Sequence, residues 1–284
     1  MSSPEPQVLL TDIVFGESPR WHEDRLWFSD WGANEIVAVD VEGKAEVMAR
    51  IEGMPFSIDW LPDGRLVVTA PAQRSVVRRE PDGTFVPHAD PAAAGEFGYN
   101  EIIVDERGNA YVNSPGFDLM SGQDPAPGWV DLVTPDGTVR RVADGVMFPN
   151  GMAVTADGAT LIVAESYGNR LTAFPILPDG GLGERWVWAD LPGGYPDGIC
   201  IDAEGAVWYA DVPNRHCVRV REGGEVLQTV TADRGCFACM LGGPDGRTLF
   251  VVATEWNGTG GMGEGARTGR ILTVDAPAPH AGRP

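Results

Sequence analysis

The chain is poor in the residues that most often carry metal, redox or phosphate chemistry. Its 284 residues hold only 4 His and 4 Cys, and 21 Lys and Arg stand against 41 Asp and Glu, for a formal net charge of −20. So few cations argue against nucleic acid or an anionic membrane surface as a partner, because phosphate contacts need clustered Lys and Arg. No apolar run approaches the ~18 residues of a spanning helix. The first residues show no basic segment followed by an apolar core, so the expected location is the cytoplasm. His22, His88, His216 and His280 are scattered, which makes a multi-histidine zinc site improbable. There is no Gly-x-Ser-x-Gly elbow for a Ser-His-Asp hydrolase. Cys236-Phe-Ala-Cys239 has C-x-x-C spacing but no second pair beside it, and Cys200 falls in an apolar run; with Cys217, these read as buried reduced thiols.

What the chain does have is glycine, 37 residues, and proline, 23, together with one phrase repeated six times. The phrase runs from apolar residues through a polar turn, usually Asp-Gly or a relative, to another apolar run. Its copies are Glu17-Ser-Pro-Arg-Trp-His-Glu-Asp-Arg25, Phe56 to Gly64, Asn100 to Gly108, Asn150 to Gly158, Asp197 to Gly205 and Phe237 to Gly246, the last with one extra residue. The opening residues of the copies lie ~40–50 residues apart, a period that reads as a ring of four-stranded blades. A ring brings equivalent positions together at its axis. Four of those six positions, Glu17, Asn100, Asn150 and Asp197, are oxygen donors.

The strands can be followed blade by blade. Leu26–Asp30, Glu35–Asp40 and Ala45–Ile51 follow the first turn, and the same order recurs in residues 161–190 and 207–230. The sixth blade is one strand short, with runs at 237–241, 248–254 and 270–275. Val8–Val14 is placed to supply the missing edge, pairing the two ends of the chain and protecting exposed strand edges. The expectation is a single all-β domain over residues 1–284, a six-bladed propeller with its core at about 8–275. The Pro-rich ends, residues 1–6 and 276–284, are expected to fray.

Four runs carry a family likeness: Gly16-Glu17-Ser-Pro-Arg-Trp21, Phe148-Pro-Asn150-Gly-Met-Ala-Val154, Ala164-Glu-Ser-Tyr-Gly-Asn-Arg170 and Pro196-Asp197-Gly-Ile-Cys-Ile-Asp202. Together they resemble the SMP-30/gluconolactonase/luciferin-regenerating family, over nearly the whole chain. The resemblance implies a six-bladed propeller with a divalent cation, often calcium, over the central tunnel. By the same resemblance Glu17, Asn150 and Asp197 match the protein ligands, and Asn100 matches a residue that touches substrate or, in related propellers, the metal.

The chemistry of these residues supports that transfer. Two carboxylates with one or two amide oxygens form a hard, all-oxygen set suited to calcium, magnesium or manganese, with zinc and iron left open. Such a cation can polarise a lactone or ester carbonyl and stabilise the oxyanion. Asp197 is the candidate catalytic residue, as general base or as the group orienting the attacking water; a nucleophilic role, proposed in some related propellers, stays open. One departure bears on substrate. Sugar-lactone members of the animal type carry an Arg two residues before the substrate Asn and an Asp after it, where this chain has Gly98 and Glu101 around Tyr99-Asn100. Losing that donor fork turns the expectation away from aldonolactones. Tyr99, Tyr195 or the segment Met120–Trp129 would fill the space, and an aromatic rim favours a larger, less polar lactone or ester. Asn100, Glu101, Tyr99 and Tyr195 are thus the candidate substrate contacts. The alternative is a propeller that keeps its cation to bind a small ligand or to catalyse a non-hydrolytic rearrangement, with protein interaction through the ring a weaker third. A monomer and a small homo-oligomer are both compatible with the sequence.

Overall fold

Every turn of the repeated phrase reverses the chain between two apolar runs, and the reversal has a common geometry. Gly64, Gly108, Gly158, Gly205 and Gly246 all take left-handed backbone, with φ between 67° and 84°. Only glycine adopts this conformation without a steric cost. The first copy lacks glycine, and there Glu23 and Asp24 take left-handed angles instead (φ 49° and 58°). The apolar runs flanking these turns become antiparallel strands in six sheets of four.

The computed structural model describes residues 5–89, 97–119, 121–258 and 265–283. Blade 1 comprises β2 (Gly16–His22), β3 (Arg25–Asp30), β4 (Glu35–Val39) and β5 (Ala45–Arg50), and blade 2 comprises β6 (Ile58–Trp60), β7 (Leu66–Ala70), β8 (Ser75–Arg79) and β9 (Phe85–Pro87). Blade 3 holds β10 (Ile102–Val104), β11 (Ala110–Ser114), β12 (Gly128–Val133) and β13 (Val139–Val146), and blade 4 holds β14 (Pro149–Val154), β15 (Thr160–Glu165), β16 (Arg170–Pro175) and β17 (Trp186–Asp190). Blade 5 holds β18 (Pro196–Ile201), β19 (Val207–Asp211), β20 (His216–Val220) and β21 (Val226–Thr231). Blade 6 is β22 (Gly235–Gly242), β23 (Thr248–Thr254), β24 (Gly269–Asp275) and, as its outer strand, β1 (Gln7–Ile13). The innermost strands pack in the order β2, β6, β10, β14, β18, β22 and back to β2, closing the ring.

The predicted closure is present: β1 pairs antiparallel with β24, Gln7 opposite Thr273 and Ile13 opposite Gly269. Apolar side chains buried between neighbouring blades form the core. Trp208, Phe28, Phe250 and Leu26 are fully enclosed, each worth about 1.5–3 kcal/mol against exposure. The expectation of a loose C-terminus is corrected. Ala276 and Ala278 are buried, His280 bridges to Asp202, and Arg283 bridges to Val154, so the tail ties blades 4 and 5. It is held because the turn ends of those blades leave backbone groups that the tail satisfies, Arg283 N–H donating to the Val154 carbonyl at 2.8 Å. At the other terminus, residues 1–4 lie outside the described residues. All four cysteines are buried and unpaired, as expected. Among the described residues no helix is long and apolar enough to cross a membrane.

Candidate active site

The six equivalent positions lie at the same end of the ring. Glu17, Asn150, Asp197 and Phe237 fall within the first residues of β2, β14, β18 and β22, while Phe56 and Asn100 sit just ahead of β6 and β10. In all four of those strands the pairing register shifts around the key residue, between Glu17 and Arg20, Pro149 and Met152, Pro196 and Ile199, and Cys236 and Ala238. Such irregularities bend a strand and re-aim a side chain. Here they coincide with the side chains that line the axial cavity.

The glycine after each oxygen donor in blades 4 and 5 has a packing reason. A Cβ on Gly151 would lie 2.5 Å from the Asp197 carbonyl oxygen and 2.6 Å from Ile199 N, and one on Gly198 would lie 2.5 Å from the Ala238 Cβ. Asn150-Gly and Asp197-Gly are therefore strand residues at points where innermost strands nearly touch. They are not turns, the usual reading of those dipeptides.

Glu17, Asn100, Asn150 and Asp197 form the floor of a cavity of about 550 Å³. Asn100 Nδ2 lies 3.4 Å from Asn150 Oδ1, and Asn150 Nδ2 lies 3.4 Å from the Ser166 hydroxyl, which itself donates to the Pro196 carbonyl at 2.7 Å. Backbone contacts fix the two asparagines. The Ser57 hydroxyl donates to the Asn100 carbonyl, and the Asn113 amide donates to the Asn150 carbonyl, both at 2.7 Å. Asp197 is part-exposed, yet its Oδ1 is closed off from solvent and has no hydrogen-bond partner. A buried oxygen without a partner is costly.

The electrostatics are those of crowded anions. Burial, and after it the carboxylates of Asp197 and Glu101, push Glu17 well above its ordinary value of 4.5. Burial, then Glu101, Asp211 and Cys239, do the same to Asp197, against a smaller opposing pull from the nearby Asn150 amide, which does not reach hydrogen-bond geometry with Oδ1. Glu101 is one source of that field but takes a different position from the one expected of a substrate contact. It is absent from the cavity lining, since its Oε1 lies 3.6 Å from Arg20 and accepts from the Ser18 hydroxyl and Ile102 N–H at 3.3 and 3.1 Å. Tyr99 and Tyr195 do line the cavity, the first buried and the second 43% exposed. Met120 lies outside the described residues. Residues 121–129 contribute nothing to the lining among the described residues, where Pro115, Phe117, Asp118 and Leu119 stand instead. None of the four histidines lines the cavity.

Above the floor the walls are aromatic. Phe15 stacks on Trp31 with centroids 5.5 Å apart and meets Phe237 edge-on at 4.7 Å, and Phe237 in turn meets Trp256 at 5.6 Å. Across the ring, Phe148 stacks on Tyr167 at 4.6 Å with Phe117 beside both. Sequence reasoning missed most of these residues, although a signal was available. Phe15, Phe148 and Tyr195 each stand two places before one of Glu17, Asn150 and Asp197.

It also missed a second set. Asp30, Glu165 and Asp211 are buried at the ends of β3, β15 and β19. Each accepts a backbone N–H from the segment that delivers a floor residue: Asp30 from Val14 and Phe15 (3.1 and 2.9 Å), Glu165 from Met147 (2.7 Å) and Asp211 from Tyr195 (2.9 Å). A carboxylate accepting backbone N–H bonds makes a strong, fixed contact. These three pin the backbone beside Glu17, Asn150 and Asp197.

A family model described as the SMP-30/Gluconolactonase/LRE-like region matches residues 15–255 of the chain. The chain belongs to this family. Among SMP-30/gluconolactonase-like relatives, a pentonolactonase of Haloferax volcanii is 27% identical, with 98% of this chain and 96% of that protein aligned. A regucalcin of Danio rerio is 26% identical over 88% of this chain and 79% of its own. Among solved structures, a luciferin-regenerating enzyme superposes with a TM-score of 0.82 at 19% identity, 98% of each chain being covered. That likeness extends the shared propeller fold to the family's solved members.

The donor set at the floor fits a hard cation. Among the described residues no three His, Cys, Asp or Glu side chains form a group that could hold a metal by themselves. An ion would therefore need the Asn150 amide oxygen beside Glu17 and Asp197. The partnerless Asp197 Oδ1 is available for it, and oxygen donors of this kind suit calcium, magnesium or manganese.

Proposed function

We propose that the protein hydrolyses a lactone or related ester with the help of one divalent cation held by Glu17, Asn150 and Asp197. Calcium is the first candidate. The observation that carries this reading is the shielded, partnerless Asp197 Oδ1, set among two further carboxylates whose mutual repulsion a cation would relieve. Similarity to a pentonolactonase along nearly the full length of both chains supports lactone as the substrate class. The cation, when bound, supplies a positive charge that polarises the substrate carbonyl and stabilises the oxyanion.

The chain's own residues do the rest. Asp197 orients the attacking water and accepts its proton as the oxygen adds to the carbonyl carbon. That proton then passes to the ring oxygen as the C–O bond breaks, so one water and one lactone give one hydroxy acid. Asn100, on the same floor, is positioned to hold the substrate by its side-chain amide. The aromatic walls exclude water from the faces of the bound ring and favour apolar, planar substrates over polyhydroxylated ones.

A lactone panel assayed with and without chelator tests the reading. Hydrolysis that is lost with chelator and restored by calcium or a related cation is the expected result. Failure to hydrolyse any lactone or ester in the presence of divalent cations would overturn it in favour of ligand binding.

A further inference from the structure

The order of the blades gives the cavity two long sides and two ends. One aromatic wall comes from blades 6 and 1 and the other from blades 3 and 4, which stand opposite one another in a six-membered ring. Blades 2 and 5 close the ends. At the blade 5 end stand Tyr195, Val212 and Pro213, and at the blade 2 end Pro71 and Arg74. The result is a slot with a cation-binding floor, two flat walls and one guanidinium.

Arg74 is the only basic residue among the described residues that line the cavity. It follows a short 3-10 turn, Pro71–Gln73, and takes left-handed backbone at φ 48°. Asn34, Asn169 and Arg215 take the same conformation just before β4, β16 and β20, so it belongs to the repeated turn. Its side chain is exposed and makes no hydrogen bond or ion pair among the described residues. Most arginines of the chain behave otherwise: Arg141 pairs with Asp131 and Asp144, Arg170 with Glu165, and Arg219 with Asp202 and Glu204. In a protein with 41 acidic side chains, a guanidinium at a cavity mouth without such a partner has its donor fork free for a ligand. Asp118, a charged residue that also lines the cavity, accepts the Ser121 N–H at 3.0 Å within its own turn.

We propose that Arg74 is a carboxylate-recognition element and that the substrate is a flat, aromatic lactone or ester bearing a carboxylate. Its ring lies between the aromatic walls, its reacting carbonyl faces the floor, and its carboxylate meets Arg74 at the blade 2 end. The reacting carbonyl rests on the hydrolase reading above; the anion subsite does not. The donor fork lost at Gly98 is thus replaced from a neighbouring blade, at the rim instead of the floor. An anion approaching a chain of net charge −20 meets a repulsive field, so a bidentate guanidinium contact would decide which anions enter.

Two dihydrocoumarins that differ only by one carboxylate provide the test, measured as the ratio of their kcat/KM values. The wild type should favour the carboxylate by about tenfold, a single good charged contact. The ratio should fall by about tenfold in Arg74→Gln, fall further in Arg74→Glu, and stay nearer wild type in Arg74→Lys, which keeps the charge but loses the fork. A ratio that stays constant across the series overturns the proposal. If neither compound is hydrolysed, the hydrolase reading fails by itself, and calorimetric titration decides the subsite. Binding of the carboxylate-bearing dihydrocoumarin over its unsubstituted parent, lost in Arg74→Gln, supports it, and equal binding of both by wild type removes it.

Discussion

Blades 1, 4 and 5 differ from blades 2, 3 and 6 in the residue two places before the key position and in the one that ends the second strand, although all six share one backbone plan. In the first set an aromatic residue (Phe15, Phe148, Tyr195) precedes a floor residue (Glu17, Asn150, Asp197), and the second strand ends in a buried acid (Asp30, Glu165, Asp211). In the second set the same places read Met54, Phe56 and Ala70; Gly98, Asn100 and Ser114; and Gly235, Phe237 and Thr254. Phe56 is fully buried, and its carbonyl accepts the Trp31 indole N–H at 2.6 Å. The comparison separates frame from chemistry. Closure of the ring requires all six blades, whereas three of them carry both the proposed ligands and the carboxylates that hold the ligands' backbone in place.

Changing the floor acid of blade 5 should produce the largest effect. Asp197→Asn keeps an oxygen toward the floor but cannot accept a proton, so lactone turnover should fall by at least ~10²–10³, the cost of losing one good catalytic donor or base. Phe237→Leu, at the equivalent place in blade 6, should cost far less. Turnover compared at equal metal content, measured by elemental analysis, checks both. Equal rates for wild type and Asp197→Asn would take Asp197 out of the mechanism.

A smaller effect distinguishes the buried acids from their neutral counterparts. Asp30→Asn leaves one acceptor oxygen where two now hold Val14 and Phe15, and should weaken calcium affinity by about tenfold, as loss of an outer support does at other metal sites. Thr254→Val, which removes a buried hydroxyl that has no partner, should leave the affinity unchanged. Isothermal titration with calcium on both variants decides whether the acids act on the site or only on the fold.

The ring was legible in the sequence because its cause is local. Each Asp-Gly turn and each alternation of apolar runs repeats at a fixed period, and the short sixth blade pointed directly to residues 8–14. The floor was legible for the same reason, since Glu17, Asn150 and Asp197 share one register. What the sequence concealed depends on contacts between blades. Glu101 reads as a neighbour of Asn100, yet Arg20 of blade 1 draws it out of the cavity lining. Arg74 shares its left-handed turn position with Asn34, Asn169 and Arg215, so register alone does not single it out, and only the closed ring shows it at the mouth. The tail looked loose by composition because its partners, Val154 and Asp202, lie far back in the chain.

The raised Glu17 and Asp197 acids predict a dependence of stability on pH. In the cation-free protein both hold protons that the unfolded chain would release above its ordinary values of 4.5 and 3.8. Their contribution is therefore complete below those values and is lost as pH rises through the raised ones. With chelator, the melting temperature should fall as pH rises above the ordinary carboxylate range and through the raised values of these two acids. A saturating cation replaces the protons and should remove most of that slope, adding about 2.7 kcal/mol at a hundredfold excess over Kd. Parallel melting curves with and without calcium at each pH make the check, and identical slopes would mean that no cation binds these two acids.

The smallest expected effect concerns the packing of the frame. Gly151 and Gly64 are both small residues of the repeat, but for different reasons. A methyl group at Gly151 meets the Asp197 carbonyl and Ile199 N of the next blade, backbone atoms that cannot step aside without parting β14 from β18. Overpacking of that kind costs about 1–3 kcal/mol. At Gly64 nothing lies within 4 Å of the added carbon, and only the left-handed backbone opposes Ala, at about 1 kcal/mol. Thermal melts should therefore place Gly151→Ala below Gly64→Ala, each kcal/mol being worth about 2–4 °C in a domain of this size. The two variants should also differ in kind. Displacing the Asp197 carbonyl moves a floor residue, so Gly151→Ala should weaken calcium binding, whereas Gly64→Ala should leave it intact. Equal melting and equal calcium affinity for both would mean that the close approach of blades 4 and 5 plays no part in holding the floor.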